Sequence, residues 1–283
     1  MVSEQLQKKI DKSIKLLKLY DNPAEPVEIA YSGGKDSDVI LQLAKESGIN
    51  FKAIYKNTTI DPPGTLKHVR DMGVDVLQPR DGMNFGKLIA KAGMPNRYVR
   101  HCCKALKEYK VLDKAVMGVR REESRKRAQR YKEPTECRFY GSKKDHVEAI
   151  YPILDWTLED VTEFIIDRGI TLAPVYYDNE GNLHTERRLG CMCCPLQSRN
   201  KRIAAFKQYP NMLRLYARNL QKFYDTHQES VSYKCNRGDI YAQLVRDIFY
   251  PDNSQGWKMI DGDALFDRPD YKKMLEDYFG IKF

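Results

Sequence analysis

The sequence predicts an α/β protein, a parallel sheet with helices on both faces, followed by a mainly helical C-terminal region. Short runs rich in Val, Ile and Tyr alternate with amphipathic helical segments, the order that builds a parallel sheet through crossover connections. A Gly-Gly turn joins the first of these runs directly to a helix, and ligands of such sheets bind at the carboxyl ends of the strands. Past residue 200, Phe206, Leu213, Tyr216, Leu220 and Phe223 share one helical face.

Taken in order, Leu6, Ile10, Ile14, Leu17 and Tyr20 predict an opening helix from residue 3 to about 20, stopped by Asn22-Pro23. Residues 27–31 read as a buried strand, 32–34 as a turn and 36–46 as a helix closed by Gly48. Strands at 51–55, 74–77, 115–119 and 147–153 follow, with helices at 65–72, 85–92 and 103–112. Thr157-Leu158-Glu159-Asp160 has the form of a capping box, opening a helix that runs to Arg168. The expected organisation is an N-terminal helix (1–24), a nucleotide-binding domain carrying a metal site (25–195) and a helical C-terminal subdomain (196–283). The last 55 residues are polar and rich in Tyr and Asp, and their pattern assigns them no role.

Lys and Arg exceed Asp and Glu by 48 to 39, a net charge of +9, which favours an anionic partner such as a nucleotide or a nucleic acid. No apolar run approaches the roughly 18 residues of a membrane span. The polar stretch Met1 to Lys9 lacks the apolar core of a secretory signal, so the expected location is the cytoplasm.

Ser32-Gly33-Gly34-Lys35-Asp36-Ser37 lies between a strand and a helix, the setting of a phosphate loop. Glycines admit a close approach by phosphate, and the amides opening the helix point at the anion. Lys35 adds a cation, and Asp36 is suited to hold Mg²⁺ against phosphate oxygens. The spacing is not that of a Walker loop; it is similar to the Ser-Gly-Gly-x-Asp-Ser pattern of the ATP pyrophosphatases, which cleave ATP between the α and β phosphates.

Five of the seven cysteines fall into two groups, Cys102-Cys103 and Cys191-Met192-Cys193-Cys194. Pairing Cys191 with Cys194 gives Cys-Cys followed by Cys-x-x-Cys, four thiolates that suit an iron–sulfur cluster or a tetrahedral zinc. Adjacent cysteines strain a single zinc, whereas a cubane offers separate iron corners. Cys193 reads as a core residue, a substitute ligand or a reactive thiol. Cys137 and Cys235 stand alone.

Residues 120–130 carry six Arg or Lys against two Glu. Their place after a strand makes Gly118, Arg120 and Arg127 candidates for the phosphate site. Asn57 and Thr58, in the loop Asn57-Thr58-Thr59-Ile60-Asp61-Pro62-Pro63, are candidates to reach the nucleotide.

Ser32 to Ser37, Asn57 to Pro63, Arg100 to Lys104, Gly118 to Arg127, Pro152 to Trp156 and Gly190 to Pro195 together resemble the phosphoadenosine phosphosulfate reductase-like family, in order and spacing, from about residue 25 to about 200. The resemblance implies an adenine nucleotide α-hydrolase-like fold. It also implies a 4Fe–4S cluster beside the nucleotide, held by Cys102, Cys103, Cys191 and Cys194. Sulfonucleotide reductases of the family attack with a C-terminal Glu-Cys-Gly-x-His cysteine, which Tyr233-Lys234-Cys235-Asn236-Arg237 does not match, and they tend to lose the intact loop that this chain keeps. Thr59 and Asp61 depart from the family's usual Gly and Glu. Both departures from the reductases make the resemblance nearer to the iron–sulfur ATP pyrophosphatase branch seen in DNA phosphorothioation systems.

The expected function is therefore an ATP pyrophosphatase of sulfur-transfer type. Lys35 and the loop hold pyrophosphate, Asp36 anchors Mg²⁺, and Arg120 and Arg127 neutralise developing charge. An acceptor, with nucleic acid admitted by the charge, is adenylated, and sulfur from a cysteine desulfurase-like donor displaces AMP. The alternatives are a sulfonucleotide reductase using Cys235 or Cys193, and a non-catalytic subunit that binds nucleotide and cluster.

Overall fold

The computed structural model describes residues 2–140, 142–251 and 269–283, which gather into two compact units. The first comprises residues 1–57, 61–78 and 108–190, and the second 58–60, 79–107 and 191–283.

In the first unit β1 (Val27–Tyr31), β2 (Phe51–Lys56), β3 (Asp75–Leu77), β4 (Lys114–Val116), β5 (Thr135–Tyr140) and β6 (Ser142–Ile150) form one sheet in the order β3-β2-β1-β4-β6-β5. All neighbours are parallel except β5 and β6. The expected α/β class, a largely parallel sheet with helices, is the one observed. At its centre β1 pairs with β2 on one side (Ile29 opposite Ala53) and with β4 on the other (Ile29 opposite Val116). The chain leaves β1 toward β2 and returns on its far side at β4. The carboxyl ends of β1 and β4 therefore flank the switch point where doubly wound sheets open a crevice.

Helices α1 (Glu4–Leu19), α2 (Lys35–Ser47), α3 (Thr65–Asp71), α6 (Arg125–Arg130) and α7 (Leu158–Asp167) complete this unit. Val39, Ile40, Leu43 and Ala44 of α2 join Ile29 of β1 and Leu6, Ile10 and Leu17 of α1 in one core. Helix α1 is also tied to the chain before α7: Ser13 Oγ donates to the Pro152 carbonyl at 2.6 Å and accepts from Trp156 Nε1 at 3.2 Å. The expected capping box is present, Thr157 accepting from Asp160 N and Asp160 accepting from Thr157 N.

In the second unit α4 (Phe85–Ala92), α5 (His101–Leu106), α8 (Arg199–Gln208), α9 (Pro210–Thr226), α10 (Val231–Asn236), α11 (Ile240–Phe249) and α12 (Tyr271–Phe279) surround a separate core. Phe85, Leu88 and Ile89 meet Leu213, Tyr216 and Leu220 there, and full burial of each such side chain stabilises by about 2 kcal/mol.

Several expectations shift. The α1 segment shares the core of the first unit, and residues 79–107 pack with the C-terminal helices, so the units are discontinuous whereas the expected divisions (1–24, 25–195, 196–283) run along the chain. Part of the expected 196–283 subdomain, residues 252–268, lies outside the described residues. The helix expected over 103–112 is α5, which ends at Leu106, because the chain passes into the first unit after Lys107. The strand expected over 147–153 begins at Ser142 and pairs with a strand that the pattern did not announce, the polar edge strand β5.

Candidate functional site

The turn after β1 is built for close approach. Gly33 has φ +76°, and a Cβ there would stand 3.0 Å from Thr65 Cγ2. Gly34 caps α2, and its carbonyl accepts from Ser37 N at 2.8 Å, Asp38 N at 3.0 Å and Ser37 Oγ at 2.6 Å. Ser32 Oγ lies 3.3 Å from Ser37 Oγ, so both hydroxyls brace the loop. Gly118, at the carboxyl end of β4, sits against this loop: a Cβ would meet the Asp36 carbonyl carbon and oxygen at 3.0 Å each. Only glycine lets the chain after β4 approach the first turn of α2 so closely.

A polar recess of about 170 Å³ opens here. It brings together Ser32, Gly34, Lys35, Asp36, Ser37, Gly118 and Arg127 from among the expected residues. Glu123, Tyr176 and Arg188, which the sequence did not single out, complete it. Tyr176 Oη accepts from Lys35 N at 3.1 Å and from Leu189 N at 3.3 Å, tying the loop to the segment before the second cysteine group. Burial pushes the Tyr176 phenol above its ordinary value, so it stays protonated. Lys35 is buried, with Nζ 3.6 Å from Asp36 Oδ2 and 3.4 Å from the Arg187 carbonyl. A larger recess, about 620 Å³ along α7, is lined by the acidic Glu159, Glu163, Asp167 and Glu186, a set that disfavours an anion.

The arginines divide. Arg127 Nη1 and Arg188 Nη2 both donate to the carboxylate of Glu123, which clamps two guanidinium groups at the recess. Arg120 does not line it. It is 3% exposed, with Nε donating to Asp36 Oδ1 at 2.7 Å and Nη1 to Glu122 Oε2 at 2.8 Å. Burial opposes its charge, and the carboxylates of Asp36, Glu123 and Glu122 override burial and raise its pKa. Expected to face the breaking bond, Arg120 instead stands against Asp36. Asn57 and Thr58 are not at the recess either. Asn57 Nδ2 donates to Gln78 Oε1 at 3.1 Å, and Thr58 belongs to the second unit.

Beneath the loop lies a buried trio. Asp38 Oδ1 accepts from Tyr31 Oη and is 3.0 Å from His68 Nε2. Burial pushes the Asp38 carboxyl above its ordinary value, against the opposing pull of His68 and Tyr31.

All four expected ligand cysteines lie in the second unit. Cys102 and Cys103 occupy the first turn of α5. Hydrogen bonding to Cys103, then burial, then the charges of Cys103 and Cys194 push the Cys102 thiol well above its usual value, which places three of the four thiols within one another's field. Cys191 Sγ is 3.9 Å from Thr58 Oγ1, and Met192 N donates to the Ile60 carbonyl at 2.8 Å. On the other side Arg97 donates to the carbonyls of Pro195 at 3.3 Å and Gln197 at 2.8 Å. Cys193 differs from its neighbours: it is fully buried with φ +53°, and burial pushes its thiol up to about 12.

Among the described residues no group of three or more His, Cys, Asp or Glu side chains is drawn together as a metal site. The donor chemistry and its surroundings nevertheless fit a thiolate-bound group. Buried polar atoms without partners are rare, and among the described residues two side chains with unpartnered nitrogens stand at the cysteine segments. They are His101 Nε2 beside Cys102, and Nε and Nη2 of Arg202, whose charge acts on Cys193.

Residues 26–197 match the model of the phosphoadenosine phosphosulfate reductase domain. The uncharacterized protein MJ0973 of Methanocaldococcus jannaschii is 30% identical over 241 residues, 78% of this chain and 54% of that protein, so the chain spans about half the length of that curated relative. Sulfate adenylyltransferase subunit 2 of Chelativorans sp. is 26% identical over 190 residues, 55% of this chain and 62% of that subunit. Among solved structures, the U34-tRNA thiolase NcsA of Methanococcus maripaludis with its 4Fe–4S cluster aligns with TM-score 0.36 and 13% identity, covering 78% of each chain. The domain match takes in more than half of the chain, including the phosphate loop and both cysteine groups, and this protein belongs to the phosphoadenosine phosphosulfate reductase domain family.

Proposed function

We propose that this protein is an ATP pyrophosphatase of sulfur-transfer type that adenylates an acceptor. The observation that carries the reading is the recess at the β1–β4 switch point, where the intact Ser32–Ser37 loop, Lys35, Arg127 and Arg188 converge. About 170 Å³ is below the roughly 300–1,000 Å³ of sites that enclose a whole drug-sized ligand, and suits phosphate groups alone. The amides opening α2 and Lys35 hold the leaving pyrophosphate. Asp36 takes the Mg²⁺ that ATP carries; Mg²⁺ is ordinarily bound by one or two carboxylates plus substrate phosphates, so no all-protein cage is required. Arg127 and Arg188 balance the charge that develops as the α–β bond breaks. The acceptor's nucleophile forms the new bond to the α-phosphorus, pyrophosphate leaves, and sulfur then displaces AMP.

Cys102, Cys103, Cys191 and Cys194 would hold a 4Fe–4S cluster, which with all four irons ligated by cysteine would supply a one-electron redox centre and a fixed negative charge at the cysteine segments. The net charge of +9 supports an anionic acceptor such as nucleic acid. The test is pyrophosphate release from Mg²⁺-ATP by the wild-type chain and by Lys35→Ala. Release that needs Lys35 upholds the reading, and release indifferent to Lys35 removes the loop from the chemistry.

A further inference from the structure

Among the described residues of the second unit, Arg202 is a buried charge that the proposed chemistry does not use. It lies on α8, 2% exposed. Its Nη1 donates to the backbone carbonyl of Asp247, whose carboxylate is instead 3.2 Å from Arg246 Nε and 3.4 Å from Gln243 Nε2. Among the described residues its Nε and Nη2 have no partner, and no carboxylate pairs with it. The guanidinium is 5.6 Å from the centre of the Phe206 ring, which holds its stem in place. A buried guanidinium with one neutral acceptor bears an uncompensated desolvation penalty, and such a group is retained when an anion completes it.

The direction of that anion is indicated by the residues that feel Arg202. Phe206, under the guanidinium, meets the Tyr216 ring edge-on at 5.6 Å, and Tyr216 Oη donates to the Cys193 carbonyl at 3.3 Å, in the same core as Cys102 and Cys191. Cys193 lies between the two expected ligands of its group, so the Arg202 side chain is packed, through Phe206 and Tyr216, against the segment that carries them. Four thiolates around a 4Fe–4S core carry net negative charge, and donors to sulfur together with a nearby cation raise the potential at which such a core accepts an electron.

We propose that Arg202 is a positioning residue of the cysteine site, supplying the counter-charge and the two N–H donors that hold the anionic thiolate-bound group and set its reduction potential. This rests on the cluster reading given above. The experiment uses the full chain prepared anaerobically as wild type, Arg202→Gln and Arg202→Lys, with iron and acid-labile sulfide measured first and the midpoint potential determined by a spectroscopically followed redox titration. Arg202→Gln should keep iron and shift the oxidised-to-reduced ratio at a fixed potential about tenfold toward oxidised, about 59 mV for a one-electron couple. Arg202→Lys should restore most of that shift. If Arg202→Gln does not fold, Arg202→Lys carries the test alone. It keeps the charge but not the fork, so iron should pass to a chelator several-fold faster than from wild type. Iron-replete variants with unchanged potential and unchanged chelator kinetics overturn the role of Arg202 alone. A wild-type chain without iron overturns the cluster reading and this role with it.

Discussion

Arg120 Nε donates to Asp36 Oδ1 at 2.7 Å, which makes the loop's acidic residue one half of a largely buried ion pair. The pair joins the carboxyl end of β4 to the first turn of α2. It aims the Asp36 carboxylate while its second oxygen stays 3.6 Å from Lys35 Nζ. Arg120→Met leaves that carboxylate without its main partner. Unfolding in urea should show a loss of about 3 kcal/mol, the lower end of the range for a broken buried pair because Asp36 is partly exposed. A loss below about 1 kcal/mol would show the pair to be incidental.

Gly118 makes a second prediction about the same junction. Gly118→Ala forces a methyl into the backbone of Asp36, and overpacking of this kind costs about 1–3 kcal/mol. Gly190→Ala, where nothing lies within 4 Å, is the control and should change stability by less than about 0.5 kcal/mol. Thermal unfolding of the two variants side by side decides whether the approach of β4 to the loop is as close as described.

Glu123 holds both Arg127 and Arg188 at the recess. Glu123→Gln removes the charge that fixes both guanidinium groups, so the KM for ATP should rise about tenfold, about 1.4 kcal/mol of binding, with a smaller change in kcat. A fall in kcat with KM unchanged would mean that Glu123 acts in the reaction and not in positioning.

The Tyr31–Asp38–His68 trio predicts a pH effect on stability. Burial raises the folded-state pKa of Asp38 above its unfolded value, so the folded state binds the extra proton. The stability this contributes is fully present below the unfolded pKa, near 3.9, and is lost as pH rises through the raised folded value. Asp38→Asn removes that dependence. Measured from about pH 4 upward, wild type should lose stability relative to the variant; parallel curves would show that Asp38 titrates normally.

The cysteines separate by their surroundings. Cys191→Ser should lower the iron content of anaerobic protein, whereas Cys193→Ala should keep it, because a fully buried thiol pushed up to about 12 is a core side chain. Iron lost from Cys193→Ala and kept by Cys191→Ser would reverse the ligand assignment.

Much of this was legible in the sequence wherever local pattern and tertiary role coincide. The β1–loop–α2 unit could be read from Val27 to Ser47 because its strand is apolar at every position but Glu28 and its turn needs glycine. Tyr176 and Glu123 were not legible, since a lone Tyr before a turn or a Glu within a basic run carries no local sign of the partner it meets across the fold. Arg188 left a trace, as Arg187-Arg188 stands just before the second cysteine group. Strand β5 was missed because Thr135 to Tyr140 lies at a sheet edge, where a polar, half-exposed sequence gives no apolar run. The discontinuous second unit was invisible for a related reason: α4 reads as one more crossover helix, and only its packing on α9 shows which core Leu88 and Ile89 join.

The most direct test of the account is to give the anaerobically prepared chain Mg²⁺-ATP, sulfide and total nucleic acid, and in parallel adenylyl sulfate with a thiol reductant, and to measure pyrophosphate, AMP and sulfite. The account predicts pyrophosphate and AMP in equal amounts from ATP, abolished in Lys35→Ala, and no sulfite. Sulfite and AMP from adenylyl sulfate, with ATP left intact, would contradict it and make the protein a reductase.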